Sequence, residues 1–205
     1  ATTEIYPLSL HDALPISQRI EQATPTFQSY RTVFAKALAA LAHAADVTVS
    51  EGELEEFSAS VATWAPFSDS VAALEELKRQ GRVLGVISNV DNDLFAGTQA
   101  LLGNPFDDVV TAEDVQSYKP RLAHFHAIRD KLAERGIGED AILHVARSKF
   151  HDIETGNALG WSNCWVNRRH GEASRGVGLP SDAEPTWQVT SMAEVVALLA
   201  EIDPV

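Results

Sequence analysis

Arg82 to Asp91, RVLGVISNVD, is the stretch on which the fold reading turns. Its apolar run, residues 83–87, carries the β-branched Val83, Val86 and Ile87 and no charge. The run follows a helical pattern closed by Gly81 and precedes another that opens near Asp91. A short uncharged run of this kind reads as a strand buried on both faces, hence as part of a parallel sheet flanked by helices. Such sheets bind ligands at the carboxyl ends of their strands, which is where Ser88 and Asn89 stand. A hydroxyl and an amide there can hold an anion, helped by the N–H groups that open the next helix.

Working outward, helices and strands alternate. Residues 68–80 predict a helix with Val71, Leu74 and Leu77 inward, and residues 91–102 predict another. Val109 and Val110 make a short strand. Leu122, Phe125, Ile128 and Leu132 mark a helix that ends near Gly136. Residues 141–146, AILHVA, form the next buried strand, and Asp152 opens a short helix that stops at Gly160. Residues 163–166 and 187–189 read as two further strands. Ser191 with Glu194 predicts a capping box for a last helix that buries Met192, Val195, Val196 and Leu199. The alternation predicts an α/β fold, a Rossmann-like doubly wound parallel sheet. Upstream, residues 26–45 place Tyr30, Val33, Phe34, Ala37, Leu38 and Leu41 at helical spacing, and residues 51–63 form a second helix with an acidic first turn. Each carries one apolar stripe and must lean on something else. Residues 17–66 are therefore read as a partial helical cap, and residues 67–205 as the core.

The chain of 205 residues is long enough for one sizeable core and a small accessory domain. Its 16 Lys+Arg against 29 Asp+Glu give a net charge of −13, which argues against nucleic acid and anionic membrane surfaces as partners. Cys164 is the only cysteine, so no intrachain disulfide can form, and a reducing cytoplasm is expected. No apolar run approaches the length of a membrane helix. Nothing in the sequence fixes the oligomeric state.

Three positions are candidates for chemistry. Ser88-Asn89 can hold an anion, although such a pair is more often a turn or a cap. Lys119 in SYKP has its backbone restricted by Pro120, and a cation held there can neutralise a carboxylate. Asp152, with Ser148 and His151 beside it, follows a buried strand. Its bland reading is a dipole partner at a helix start. Each lies just past a successive predicted strand, so the three should converge on one crevice. Their order, in the stretches ISNVDNDLF, FDDVVTAEDVQSYKP, HVARSKFHDIETGNALG and CWVNRR, resembles the haloacid dehalogenase superfamily, and within it the type II 2-haloacid dehalogenase-like branch with a helical cap.

The resemblance implies a nucleophilic Asp at the end of a first strand, an ester or phosphoaspartyl intermediate, and its hydrolysis by water. It implies that Ser88, Asn89 and Ser148 bind a small anionic substrate and that Lys119 steadies the reacting charge. Asp152 would orient Lys119 or water, or ligate Mg²⁺ in a phosphatase. No cofactor is implied for a dehalogenase. The chain departs from the family in having no Asp-x-x-Gly-Thr nucleophile pattern. It also has Arg147 to Asp152, RSKFHD, where dehalogenases resemble Ser-x-Asn-x-x-Asp, and Phe125 where they have Tyr. Residues 1–16 resemble the translation of a common sequencing adapter, with Pro7 in place of Thr, and are expected to be non-native; the alternative is a short strand over residues 4–10. Asp12, in that segment, lacks the Gly-Thr that should follow and is not assigned as nucleophile. The leading reading is thus hydrolytic dehalogenation of a small 2-haloacid. The alternatives are a Mg²⁺-dependent phosphatase and an inactive or non-catalytic anion-binding chain.

Overall fold

A computed structural model describes residues 10–24, 26–171 and 179–203. The chain opens with α1, Leu10–Ala23, which spans the expected boundary at residue 16 without a break. Leu10 is helical, which corrects the strand alternative at that residue; residues 4–9 lie outside the described set. Two cap helices follow, α2 over Tyr30–Ala44 and α3 over Glu51–Ala59, and a 3₁₀ turn at Ser60–Thr63 extends the second. Ser50 and Glu53 form a reciprocal capping box on α3. The apolar stripe of α2 buries Tyr30, Val33, Phe34, Ala37 and Leu38 as its spacing predicts. Phe34 stacks on Phe57 of α3 with centroids 4.7 Å apart.

The core runs α4 (Ser70–Arg79), β1 (Gly85–Ser88), α5 (Asn92–Leu101), β2 (Asp108–Thr111), α6 (Ala112–Val115) and α7 (Ala123–Glu134). It continues with β3 (Leu143–Ala146), α8 (Glu154–Leu159), β4 (Ser162–Val166), β5 (Trp187–Val189) and α9 (Met192–Ile202). All pairings among these strands are parallel, giving the expected Rossmann-like α/β architecture. The described strands form two ladders, β2–β1 and β3–β4–β5, rather than one continuous sheet.

Strand β1 begins at Gly85, two residues later than the apolar run suggests. Leu84 donates its N–H to the Asp107 carboxylate at 2.8 Å, and its carbonyl accepts from Asp107 N at 2.8 Å, so it belongs to the connection. Val83 is 40 % exposed. Val86 and Ile87 are half-buried rather than covered on both faces, since β1 has a described neighbour on one side only. The Ser191 capping box is also corrected. Ser191 accepts the Glu194 N–H, but the Glu194 carboxylate turns to the N–H and hydroxyl of Thr190. On α9 only Val195 is fully buried, while Met192, Val196 and Leu199 are half-buried.

Three apolar clusters fill the molecule. The first joins α1 and the cap helices to Val90, Leu94, Phe95 and Tyr118 of the core. The second centres on Phe125, Ile128 and Trp161, and the third on Cys164, Val166, Val189 and Val195. Asp91, only 4 % exposed, docks the cap: it accepts the N–H groups of Tyr30 and Arg31 at 2.7 and 3.0 Å, at the N-terminus of α2. Gly97 of α5 lets the 3₁₀ turn approach, because a Cβ there would sit 2.5 Å from the Ala62 carbonyl.

Gly97→Ala should therefore lower stability by about 1–3 kcal/mol through overpacking. Gly52→Ala, whose added Cβ meets nothing within 4 Å, should raise it by up to about 1 kcal/mol. Urea unfolding of both variants checks the pair; equal effects would contradict the close approach.

Candidate active site

Past the carboxyl end of β1, Asn89 is used up on the loop that precedes α7. Its Oδ1 accepts the Lys119 N–H at 2.7 Å, and its Nδ2 donates to the Lys119 carbonyl at 3.3 Å and to Glu21 Oε2 at 3.1 Å. Gln22 donates to the same Lys119 carbonyl. With its backbone held this way, Lys119 is 8 % exposed and sends Nζ inward to the Ile87 carbonyl at 3.1 Å and to Asp152 Oδ1 at 2.7 Å. The sequence suggests a loop lysine with little packing role; the structure makes it a buried bridge between the two ladders.

Asp152 does not open a helix. It lies inside a π-helical turn, Lys149–Ile153, whose N-cap is Ser148. That turn draws the carboxylate under the sheet edge, where His144 of β3 also faces Oδ1 at 3.3 Å. Burial opposes ionisation of Asp152, but the charge of Lys119 and the contacts from His144 and Lys119 outweigh it and hold the carboxyl well below its usual range. Ser148 Oγ accepts the His151 N–H at 3.1 Å and faces His151 Nδ1 at 3.0 Å. When Ser148 gives its proton to Nδ1, the neutral ring carries Nε2–H as its donor. That Nε2 is buried without a partner among the described residues.

These groups border a partly open cavity of about 150 Å³. Asn89, Lys119, Ser148, His151 and Asp152 line it together with Leu14, Ser17, Gln18 and Glu21 of α1 and Tyr30 of α2. Four of the five sequence candidates thus share one pocket. Ser88 is not among the lining residues; it stands at the end of β1, where its carbonyl meets His124 Nε2 at 3.2 Å. Phe125, where the resemblance expects Tyr, is wholly buried against His144 and Trp161. Arg147 is exposed and lies outside the pocket lining. Asp12 lies in a helix rather than at a strand end.

The α1 contribution escaped sequence reasoning. Leu14, Ser17, Gln18 and Glu21 repeat at one-turn spacing and share a helix face, a signal that a boundary drawn at residue 16 cuts through. Glu21 is only 2 % exposed. Burial pushes its carboxyl up to about 8, with the Asn89 hydrogen bond and the Lys119 charge opposing only in part. Burial also pushes His124 and His151 down to about 4; Lys119 adds to this in both, and the Asp152 charge works against it.

No three His, Cys, Asp or Glu side chains among the described residues come together as a metal site. Oδ1 of Asp152, the sequence candidate for Mg²⁺, is already engaged by Lys119 and His144, and an ammonium 2.7 Å away repels a dication.

A family model described as haloacid dehalogenase-like hydrolase matches residues 24–166. The chain belongs to that family. It is 34 % identical over 138 residues to the (S)-2-haloacid dehalogenase of Pseudomonas sp. (strain YL), an alignment that covers 65 % of this chain and 55 % of that protein. The chain thus spans about half the length of the curated relatives it matches. In fold it is similar to the L-2-haloacid dehalogenase of Xanthobacter autotrophicus with chloropropionic acid covalently bound, with a TM-score of 0.74 at 17 % identity and 94 % of each chain covered. It is equally similar to YfnB of Bacillus subtilis bound to magnesium, with a TM-score of 0.74 at 17 % identity, covering 94 % of this chain and 84 % of that one.

The buried groups fix a pH dependence of stability. In an unfolded chain histidine takes up a proton near pH 6.5 and glutamate near about 4.3. Two histidines that resist protonation in the fold make stability fall as pH drops from about 6.5 towards about 4. Glu21, protonated in the fold but ionised when unfolded, makes it fall as pH rises from about 4.3 towards about 8. The two histidines outweigh the one glutamate below their crossover, so stability should peak near pH 6.5. Urea midpoints between pH 4.5 and 8.5 check this, and Glu21→Gln should remove the alkaline decline and steepen the acid one. A flat midpoint from pH 6.5 to 8.5 in the unaltered chain would contradict the assignment.

Proposed function

We propose that the pocket binds a small 2-haloacid through its carboxylate, as part of a hydrolytic dehalogenase site. The observation that carries this reading is Lys119, desolvated and fixed between the Ile87 carbonyl and Asp152 at one end of a small, partly open cavity. The likeness to (S)-2-haloacid dehalogenases supports it. So does the donor set, which supplies hydrogen bonds and one cation.

In this reading a carboxylate attacks the carbon that bears the halogen. Halide departs with the bonding pair, and water then hydrolyses the ester and restores the carboxylate. Lys119 steadies the negative charge of both steps. Asp152 and His144 position Lys119, Asn89 fixes its backbone, and Ser148 orients His151 towards the substrate anion. Ser88 takes part through its main chain. The cap and α1 exclude water.

Neither pocket carboxylate is free to attack, since Asp152 is bound to Lys119 and Glu21 is protonated at neutral pH. The nucleophile is therefore assigned outside the pocket residues, and the chain as written binds the anion with little turnover. The single buried thiol suits a cytoplasmic setting.

Calorimetric binding of 2-chloropropionate, with chloride release followed alongside phosphate release from a generic phosphate ester, tests the proposal. Binding without Mg²⁺ is expected, weakened at least a hundredfold by Lys119→Ala and not rescued by Lys119→Arg, whose planar head cannot replace a compact ammonium. Phosphate release stimulated by Mg²⁺ would favour the phosphatase alternative. Unchanged binding in Lys119→Ala would remove Lys119 from the site.

A further inference from the structure

The pocket holds two buried carboxyl groups and one lysine among its lining residues. Lys119 gives its charge to Asp152 at 2.7 Å, and its second contact is the Ile87 carbonyl. Among the described residues Glu21 has one side-chain donor, Asn89 Nδ2, and no ion pair. An unpaired carboxylate excluded from water takes up a proton rather than remain charged. The pocket is then electrically neutral: one cation, one anion, one carboxylic acid and an uncharged imidazole. It also contains two orphaned polar atoms, the donor His151 Nε2 and the acceptor Gln18 Oε1, both buried in the lining.

We propose that Glu21 determines specificity: its carboxylic acid donates a hydrogen bond to the bound substrate, so that the site takes up a monoanionic carboxylate and keeps a proton on Glu21, and disfavours dianions. Asn89 already donates to Oε2, which leaves Oε1 to carry the proton. The ligand carboxylate receives that hydrogen bond together with one from His151 Nε2 and the attraction of Lys119. Ionised Glu21 would instead place a second uncompensated negative charge against the ligand. A dianionic phosphate or sulfate group would meet a site whose only lysine is already matched. The inference rests on the anion-binding reading of the pocket and adds the charge state of its ligand.

Other groups facing Glu21 must be separated from it. They are Tyr30 on α2, Asn89 after β1, Tyr118 and Lys119 before α7, and His151 and Asp152 on the π-helical turn. Tyr30 and Tyr118 are held above the ordinary phenol range, by burial first and by the nearby carboxylates as well, and stay neutral over the range tested. Burial keeps His151 neutral there too.

The test is the dissociation constant of 2-chloropropionate, of propionate and of sulfate measured by calorimetry from pH 7 to 9.5 on the full chain. Above pH 8 the affinity of the unaltered chain for either carboxylate should fall about tenfold per unit, and sulfate should bind at least tenfold more weakly throughout. Glu21→Gln, which retains a neutral donor, should bind with an affinity independent of pH over that range. Independently, the infrared band of a protonated carboxyl at pH 7 should vanish in Glu21→Gln. A pH-independent affinity in the unaltered chain, the same alkaline decline in Glu21→Gln, sulfate bound as tightly as propionate, no binding of any of the three, or absence of the infrared band would each overturn the proposal. Propionate bound with the expected proton linkage while 2-chloropropionate is ignored would keep the role of Glu21 and overturn the haloacid reading.

Discussion

One side chain closes the seam between the two ladders. Lys119 Nζ reaches the carbonyl of Ile87 on the edge of β1 and the carboxylate of Asp152 just beyond β3. Removing two charges from water is costly, and such a pair repays the cost only when its remaining hydrogen bonds are satisfied. Here they are supplied from several elements. His144 supports Asp152 from β3, while Asn89 and Gln22 hold the main chain of Lys119 from the loop after β1 and from α1. Truncating either partner would strand the other charge, so the site and the stability of the core cannot be varied independently.

The cap depends on that core through a different kind of contact. Asp91 follows Ser88-Asn89 by two residues and places its carboxylate on the first N–H groups of α2, where the helix dipole favours negative charge. Tyr118, next to Lys119, donates its hydroxyl to the Gln28 carbonyl just before α2. Both ties start from residues adjacent to the pocket. Both fix the start of α2 beside Asn89 and Lys119.

The architecture was largely legible because periodicity and strand-end placement depend on local chemistry. The stripe Tyr30–Val33–Phe34–Ala37–Leu38 and the strand 143–146 show it. Convergence of Asn89, Lys119 and Asp152 followed from the strand-end rule. What escaped depends on partners far away in sequence. Leu84 looks like strand, yet Asp107 engages its backbone. Asp152 looks like a helix opener, yet Ser148 caps a π-helical turn around it. Glu194 looks like half of a capping box, yet Thr190 offers two donors to its carboxylate. Glu21 looks like one more surface acid until α1 is seen to lie over the pocket.

The third apolar cluster bears on chemical self-protection. The group in proteins that an alkylating agent attacks most readily is a thiolate. The only sulfhydryl of this chain, Cys164, sits with no exposed surface in β4. Burial alone pushes its thiol up to about 11, so at neutral pH it is both shielded and protonated. The most nucleophilic sulfur of the chain is thereby withdrawn from electrophiles in solution.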